Sequence, residues 1–237
     1  MKFRDDEQIL NYHDAVVYGS DLRIVQSETD WLNDSCIQFY MNVLQYSGEN
    51  NHQNHRFVDP SVISFFVHQC TDQDDIEDFK KGFDLPVDGK LFIPVNDTMR
   101  LCANWMVPNS GTHWSLLAIV FEKGVGVAAW HFDSMRSSGN INAAGDILNK
   151  LSLVFPSIPV LLERTKLPVQ AKAPQQTNCN DCGVHTLVTA MLVSTMNGSN
   201  LAIHEERIQE YVKSNPSFCK EMRATIASEM IQQASLK

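Results

Sequence analysis

The chain has 237 residues, of which 43% are hydrophobic and 20% charged, with a formal net charge of −9 at neutral pH. This length is ample for a sizeable core, and we expect residues 1–237 to form a single domain. The acidic balance, without a cluster of Lys and Arg, argues against a nucleic-acid binder and suits a partner that carries basic groups.

The first residues, "MKFRDDEQIL", have acidic side chains where a signal peptide needs an apolar stretch. Apolar runs such as "LLAIVF" are too short to span a bilayer. Six scattered cysteines in a chain of this size do not resemble a secreted disulfide scaffold. We therefore expect a soluble protein of the cytoplasm, the nucleus or both, with reduced thiols and no membrane partner.

Helices are predicted in the first third of the chain. "DWLNDSCIQFYMNVLQY" (30–46) has apolar residues at helical spacing after an N-cap residue. "DPSVISFFVHQC" (59–70) begins with Asp59 as N-cap and Pro60 in the first turn. "TDQDDIEDFKKGF" (71–83) is a short acidic helix that ends at Gly82. A polar loop, "SGENNHQNHRF", separates the first two helices.

Strands are predicted in the middle of the chain. "KLFIPVN" (90–96) is a strand, and "HWSLLAIVF" with "VGVAAWHFD" forms a hairpin around the loop "EKG". "PVLLER" (159–164) is a further strand after the helix "INAAGDILNKLSLVF". "DCGVHTLVTAMLVSTM" (181–196) is a buried helix, and one or two amphipathic helices follow from Ala202. This order predicts an α+β fold with a central antiparallel or mixed sheet flanked by helices.

The hairpin brings a histidine and a carboxylate together at its open end. With Gly124 in the left-handed position of a three-residue loop, Phe121 pairs with Val125 and His113 lies opposite Asp133. Directly opposed side chains point to the same face with Cβ atoms about 5 Å apart. A structural His–Asp pair at the surface is the alternative. His131 shares the predicted face, but its place beside Phe132 favours packing.

Two cysteines lie in the segment "QQTNCNDCGVH" (175–185). Asp181 is a natural N-cap, so Cys182 falls in the first helical turn, where the helix dipole favours a thiolate. The amide of Cys182 has no partner within the helix and is available to an oxyanion. Gly183 is expected to leave room for a substrate close to the sulfur. These features predict that Cys182, and not Cys179, is the reactive thiol.

Other interpretations of the segment remain open. A redox pair of Cys179 and Cys182 needs a buried strand before it, but "APQQTN" indicates a polar loop. A zinc site would use both cysteines and His185, and it lacks an evident fourth ligand at suitable spacing. Both cysteines could also be small apolar packing residues. We expect His185 to pack or to make a buried hydrogen bond.

Four motifs in order carry a resemblance to a known family. "DWLND", "GTHWSLL", "HFDSMRS" and "QQTNCNDCG" resemble the Ulp/SENP family of cysteine proteases that process ubiquitin-like proteins. "FVDPSVISFF" and "FDLPVDGKLFIPVNDT" are most similar to its deneddylase branch. The loop at 47–57 and the insertion-like "TMRLCANWMVPNS" depart from the family pattern. The resemblance implies a papain-like fold and a hydrolase that needs no cofactor and no metal.

The resemblance also implies roles for individual residues. Cys182 would be the nucleophile, His113 the general base, Asp133 the residue that orients the imidazole, and Gln176 an oxyanion donor. Three further residues correspond to the family's contacts with the substrate tail, and these are Trp31, Trp114 and Asp34. Core packing is the alternative for the tryptophans, and a second helix cap is the alternative for Asp34.

The implied reaction is cleavage after the C-terminal Gly-Gly of the ubiquitin-like neddylation modifier. The enzyme would process the precursor and remove the modifier from conjugated proteins, with cullins as candidate partners. A SUMO-specific protease of the same family is the alternative. A non-catalytic binder of ubiquitin-like proteins is less consistent with a complete Cys–His–Asp–Gln set.

Overall fold

The computed structural model describes residues 3–46, 54–101, 111–136, 138–158 and 167–236. Its helices are α1 (Gly19–Gln26), α2 (Asp34–Tyr46), α3 (Pro60–His68), α4 (Gln73–Gly82), α5 (Asn140–Val154), α6 (Cys182–Ser194), α7 (Leu201–Ser214) and α8 (Phe218–Ser235). Its strands are β1 (Gln8–Tyr12), β2 (Ala15–Tyr18), β3 (His55–Phe57), β4 (Gly89–Asn96), β5 (Trp114–Glu122), β6 (Gly126–Phe132) and β7 (Val169–Gln170). Within these ranges, no helix is long and apolar enough to cross a membrane.

The central sheet has five strands in the order β3-β4-β5-β6-β7. Its middle pairs, β4 with β5 and β5 with β6, are antiparallel, whereas the edge strands β3 and β7 run parallel to their neighbours. Strands β1 and β2 form a separate antiparallel hairpin. The predicted α+β class with a mixed sheet is therefore confirmed.

Strand β5 lies at the centre of the molecule. Its residues from Trp114 to Phe121 are all buried, because helices α5 and α6 pack against β4 and β5 and leave neither face of β5 open to water. This explains why "WSLLAIVF" is a nearly continuous apolar run and not an alternating one. The start of β5 and the start of α6 are consequently both placed inside the protein.

The register of the β5–β6 hairpin differs from the predicted one by two residues. Phe121 pairs with Val127, and Glu122 pairs with Gly126, so the loop is formed by residues 123–125. The amide of Val125 donates to the carbonyl of Glu122 at 3.0 Å, and Gly124 has a φ of 81°. A shift of two residues keeps every side chain on its predicted face, whereas a shift of one would have reversed them.

Several predicted helices are confirmed with their signals. The side chain of Asp59 accepts a hydrogen bond from the amide of Ser61 at 2.7 Å, and Pro60 opens α3 as expected. Helix α2 begins at Asp34, later than the motif "DWLND" implied, because the side chain of Asn33 caps it by accepting from the amide of Cys36 at 3.0 Å. The strand predicted at 159–164 lies outside the described residues.

The β1–β2 hairpin was not predicted. Its turn residues, His13 and Asp14, have φ values of 48° and 70°, a region that usually calls for Gly or Asn. The side chain of Asn42 in α2 donates to the carbonyls of Tyr12 and His13 at 3.2 and 2.7 Å. The side chain of Asn11 also accepts from the amide of Asp14 at 3.1 Å, so a local and a tertiary contact together support this turn.

Candidate active site

His113 and Asp133 form a buried ion pair at the open end of the β5–β6 hairpin. His113 immediately precedes β5, Asp133 immediately follows β6, and the distance from His113 Nε2 to Asp133 Oδ1 is 2.7 Å. Their side chains are 4% and 8% exposed, so the pair is not the surface contact that the sequence left open as an alternative. Asp97 holds the backbone just before β5 in place, because its carboxylate accepts from the amides of Thr112 and His113.

Asp133 is held in its ionised form. Its Oδ1 also accepts from the amide of Met135 at 2.8 Å, and its Oδ2 accepts from the hydroxyl of Ser138. Burial by itself raises the pKa of Asp133, but the hydrogen bonds from His113, Ser138 and Met135 outweigh it and leave the pKa below its ordinary value. The carboxylate is therefore a fixed acceptor with a defined direction.

The second nitrogen of His113 faces the thiol of Cys182. In the described part of the chain, His113 Nδ1 is buried without a hydrogen-bond partner of ordinary geometry. Burial by itself lowers the pKa of His113, but Asp133 and the nearby Cys182 together raise the pKa to about 9. At neutral pH this imidazole is consequently protonated, with one N–H on the carboxylate and the other available to the sulfur.

Cys182 is the first residue of α6 and is 1% exposed. The backbone carbonyl of Asp181 accepts from the amide of His185 at 2.9 Å, so Asp181 does occupy the N-cap position. Its side chain makes no capping bond, contrary to the expectation from its residue type. The amides of the first turn are thus left without a capping side chain, next to the sulfur.

The role expected for Gly183 is wrong. A Cβ atom placed on Gly183 would lie 3.0 Å from Cβ of Leu32 and 3.3 Å from Cδ1 of Ile37. The missing side chain therefore allows α6 to pack closely against the segment before α2. It does not make space for a substrate.

Gln176 is anchored to the residue that follows Asp133. Its backbone amide donates to the carbonyl of Ser134 at 2.9 Å, and its Oε1 accepts from the hydroxyl of Ser134 at 2.7 Å. Its Nε2 donates to the carbonyl of Asn178 at 2.7 Å. The neighbouring Gln175 instead donates to the carbonyl of Asp133 at 3.0 Å. Fixing Oε1 leaves the NH₂ group of Gln176 pointing along the loop that leads to Cys182.

The three expected substrate contacts differ in exposure. Trp31 is 44% exposed, which fits a side chain that covers a ligand better than one that fills the core. Trp114 is 5% exposed, and its indole Nε1 donates to the carbonyl of Leu32 at 3.0 Å, so the packing alternative holds for much of this ring. Asp34 is exposed in the first turn of α2, and Asn33 performs the capping that was the alternative for Asp34.

The other histidines have partners of a different kind. His131 is fully buried, with Nδ1 2.9 Å from Gln170 Oε1 and Nε2 2.9 Å from Ser115 Oγ. His185 packs edge-on against Phe218 at a ring distance of 5.0 Å, and burial lowers its pKa to about 4. His185 therefore packs, as the sequence indicated, whereas His131 makes two buried hydrogen bonds in place of the packing role expected for it. Among the described residues, no group of three or more His, Cys, Asp and Glu side chains is placed to hold a metal ion.

Comparison with known proteins identifies the family. Residues 30–213 match the model of the Ulp1 protease family, C-terminal catalytic domain. The chain belongs to this family of cysteine peptidases. It is 31% identical over 191 residues to NEDD8-specific protease 1 of Arabidopsis thaliana, covering 80% of this chain and 76% of that protein. It is 30% identical over 185 residues to sentrin-specific protease 8 of Homo sapiens, covering 77% and 79% respectively.

Solved structures confirm the fold. The C-terminal Ulp1 protease domain in complex with Smt3, the yeast ortholog of SUMO, matches 98% of this chain and 90% of its own, with a TM-score of 0.61 and 19% identity. The Xanthomonas campestris effector protein XopD bound to ubiquitin matches 78% and 92%, with a TM-score of 0.52 and 21% identity. The cysteine protease fold predicted from the motifs is therefore present in this chain.

Sequence reasoning missed the residues that fix the pair in place. Asn140, at the start of α5, donates from Nδ2 to the carbonyl of His113 at 3.2 Å and to Ser115 Oγ at 3.0 Å. Ser138 donates to Asp133, and Asp97 accepts from the backbone before β5. Single Asn, Ser and Asp residues between or at the ends of elements carry no periodicity or spacing signal that would have selected them.

Proposed function

We propose that this protein is a thiol protease that cleaves after the C-terminal Gly-Gly of the ubiquitin-like modifier NEDD8. It would act on the NEDD8 precursor and on NEDD8 conjugates, with cullins as candidate conjugated partners. The observation that carries the chemistry is His113 placed between the ionised Asp133 and the Cys182 thiol. The similarity to proteins named NEDD8-specific protease 1 and sentrin-specific protease 8 supports the choice of modifier.

In this mechanism the resting pair is the Cys182 thiolate and the His113 imidazolium, in keeping with the raised pKa of His113. The thiolate attacks the carbonyl carbon of the C-terminal glycine, and His113 donates its Nδ1 proton to the leaving amine. Neutral His113 then removes a proton from the water that attacks the thioester. Asp133 stays ionised throughout and keeps the imidazole in the orientation that leaves Nδ1 toward the sulfur.

The oxyanion would be bound by two donors near the start of α6. One is the amide of Cys182, a first-turn donor with no acceptor within the helix. The other is Gln176 Nε2, which would exchange its bond to the Asn178 carbonyl for one to the oxyanion. The bond from Ser134 to Gln176 Oε1 supports this assignment, because it prevents the amide from turning its oxygen toward the negative charge.

The substrate tail would lie between Trp31 and the start of β5. A diglycine fits such a channel because it has no side chains to clash with the exposed Trp31 ring or with Trp114. Exposed Asp34 would meet a basic residue just before the diglycine. The net charge of −9 agrees with a basic tail.

A panel of modifiers that carry a C-terminal electrophile tests this proposal. We expect the NEDD8 probe to label the wild type and Cys179→Ala, and to leave Cys182→Ala unlabelled. The alternative, a SUMO-specific protease of the same family, predicts that the SUMO probe labels Cys182 and the NEDD8 probe does not. A C-terminal NEDD8 fusion that is cleaved equally by the wild type and by Cys182→Ala would contradict the mechanism for either modifier.

A further inference from the structure

A buried arginine from the C-terminal helix lies behind the candidate nucleophile. Arg223 belongs to α8, which follows the segment 30–213 that matches the family model. Helix α8 packs against α1, α6 and β1, and the Arg223 side chain is 4% exposed. A buried guanidinium is costly unless it is paired and hydrogen-bonded, so its contacts show what holds it there.

The guanidinium of Arg223 joins three segments of the chain. Its Nε and Nη2 donate to Oδ1 of Asp181 at 3.2 and 2.9 Å. Nη2 also donates to the carbonyl of Asp30 at 2.8 Å, and Nη1 donates to the carbonyl of Ile24 at 3.3 Å. Asp30 directly precedes Trp31, and Asp181 directly precedes Cys182. One side chain thus links the loop that carries Trp31 to the loop that leads to the thiol.

The contact with Arg223 changes what Asp181 does. An aspartate at an N-cap normally accepts from an amide of the first helical turn. Asp181 makes no such bond. Its carboxylate instead accepts from Arg223, from Nδ2 of Asn178 at 2.8 Å, from Nδ2 of Asn180 at 3.4 Å and from the thiol of Cys219. If it were free to cap α6, Asp181 would occupy the amides and place a negative charge beside the sulfur, which would oppose a thiolate.

We propose that Arg223 is a positioning residue for Cys182, because it holds the Asp181 carboxylate away from the first turn of α6 and neutralises it. In this role it keeps the first-turn amides free for the sulfur and the oxyanion. Stability alone does not require the pair, since a buried ion pair can often be replaced by apolar residues without loss. The inference rests on the proposed function in that it assigns Cys182 as the nucleophile.

Alkylation of Cys182 by iodoacetamide as a function of pH tests the proposal without any modifier. In Arg223→Met the uncompensated Asp181 carboxylate should move the pH midpoint of alkylation upward by about one unit. At pH values below both midpoints the alkylation rate should then fall about tenfold. Arg223→Lys keeps a charge but loses the planar fork, so its midpoint should lie between those of Arg223→Met and the wild type.

A double variant separates charge from simple loss of structure. Asp181→Asn combined with Arg223→Met removes both charges, and we expect its alkylation midpoint to return to within about 0.3 units of the wild type. This variant also keeps the test usable if Arg223→Met alone does not fold. Lys220→Met is the matched control, because Lys220 lies on the same helix and pairs with Glu28 at 2.7 Å, but both side chains are largely exposed. It should behave as the wild type.

The outcomes distinguish this inference from the proposed function. An Arg223→Met midpoint equal to that of the wild type would overturn the inference, and so would an unchanged defect in the double variant. Neither result would bear on which modifier the protein cleaves. Conversely, a NEDD8 probe that fails to react with the wild type would reject the proposed substrate and leave the alkylation results intact. Mass spectrometry of the labelled peptide should confirm that the modified residue is Cys182 and not Cys179.

Discussion

Two buried histidines lie near Cys182 and take opposite protonation states. His113, at the end of the catalytic hairpin, has a pKa raised to about 9, whereas His185, in the first turn of the same helix as Cys182, has a pKa lowered to about 4. Burial lowers the pKa of both. The difference is that His113 shares a hydrogen bond with Asp133, while the ring of His185 packs against Phe218.

This comparison shows why closeness in sequence is a poor guide to chemistry. His185 stands three positions after Cys182 and made the segment resemble a zinc or redox motif. His113 is distant in sequence, yet it has the carboxylate that a proton-transferring imidazole needs. The partner of a ring nitrogen, rather than its distance from the cysteine along the chain, determines whether a buried histidine can carry a proton.

The largest expected effect separates the two histidines by turnover. His113→Asn should lower kcat/KM for a C-terminal NEDD8 fusion by roughly 10⁴-fold or more, because it removes the group that transfers the proton. His185→Gln should lower it by less than about tenfold, because only packing changes. Activity is measured per folded protein, from steady-state cleavage combined with a circular dichroism check. Equal losses in the two variants would refute the division of roles drawn here.

A smaller loss is expected when the carboxylate is made neutral. Asp133→Asn keeps the shape of the side chain, but it removes the charge that helps to raise the pKa of His113. We expect kcat/KM to fall by about 10²–10⁴-fold and the pKa of His113, followed by NMR of the imidazole, to drop below 9. An NMR titration that is identical in the variant and the wild type would show that Asp133 does not control His113.

The His113–Asp133 pair was predictable because the error in the predicted strand register was an even number of residues. The predicted register pairs Phe121 with Val125 and the observed one pairs it with Val127, and an even register error preserves the face of every side chain. Helix α3 was predictable from Asp59 and Pro60, whose capping roles depend on neighbouring residues alone. Both examples rest on local geometry. The assignment of residues 1–237 to a single domain stays a prediction.

Residues whose roles depend on distant segments could not be predicted. Asp181 was predicted to cap α6 with its side chain, but its carboxylate accepts from Arg223, which is distant in sequence. Gly183 was predicted to leave room for a substrate, but Leu32 lies where its side chain would be. The turn at His13 and Asp14 was not predicted, and the side chain of Asn42 in the distant helix α2 supports it. In each case a tertiary contact overrides the usual behaviour of the residue type.

The pH dependence of stability should show the two histidines with opposite signs. His113 has a folded pKa above the ordinary 6.5, so its contribution is complete below about pH 6.5 and is lost as the pH rises through 9. His185 has a folded pKa below 6.5, so its contribution is complete above about pH 6.5 and is lost as the pH falls toward 4. Each effect is worth about 3 kcal/mol at most.

Urea unfolding of the wild type, His113→Asn and His185→Gln between pH 4.5 and 9.5 measures the acidic and the alkaline loss of stability. Relative to the wild type, His113→Asn should flatten the decline in unfolding free energy on the alkaline side, and His185→Gln should flatten it on the acidic side. If a variant instead flattened the decline on the opposite side of the pH profile, the protonation state assigned to that histidine would be wrong.

The smallest expected effect concerns how closely α6 packs against its neighbours. This helix carries both Cys182 and His185, so its position sets their distances from His113. Gly183→Ala should destabilise the protein by about 1 kcal/mol, since the new methyl group meets Leu32 at 3.0 Å and one of the two must move. Gly82→Ala is the matched control in α4, where a Cβ atom has no neighbour within 4 Å, and it should stabilise by up to about 1 kcal/mol. Urea unfolding at pH 7 measures both changes. If the two alanine variants were equally stable, the contact between α6 and Leu32 would not be close enough to determine where the thiol lies relative to His113.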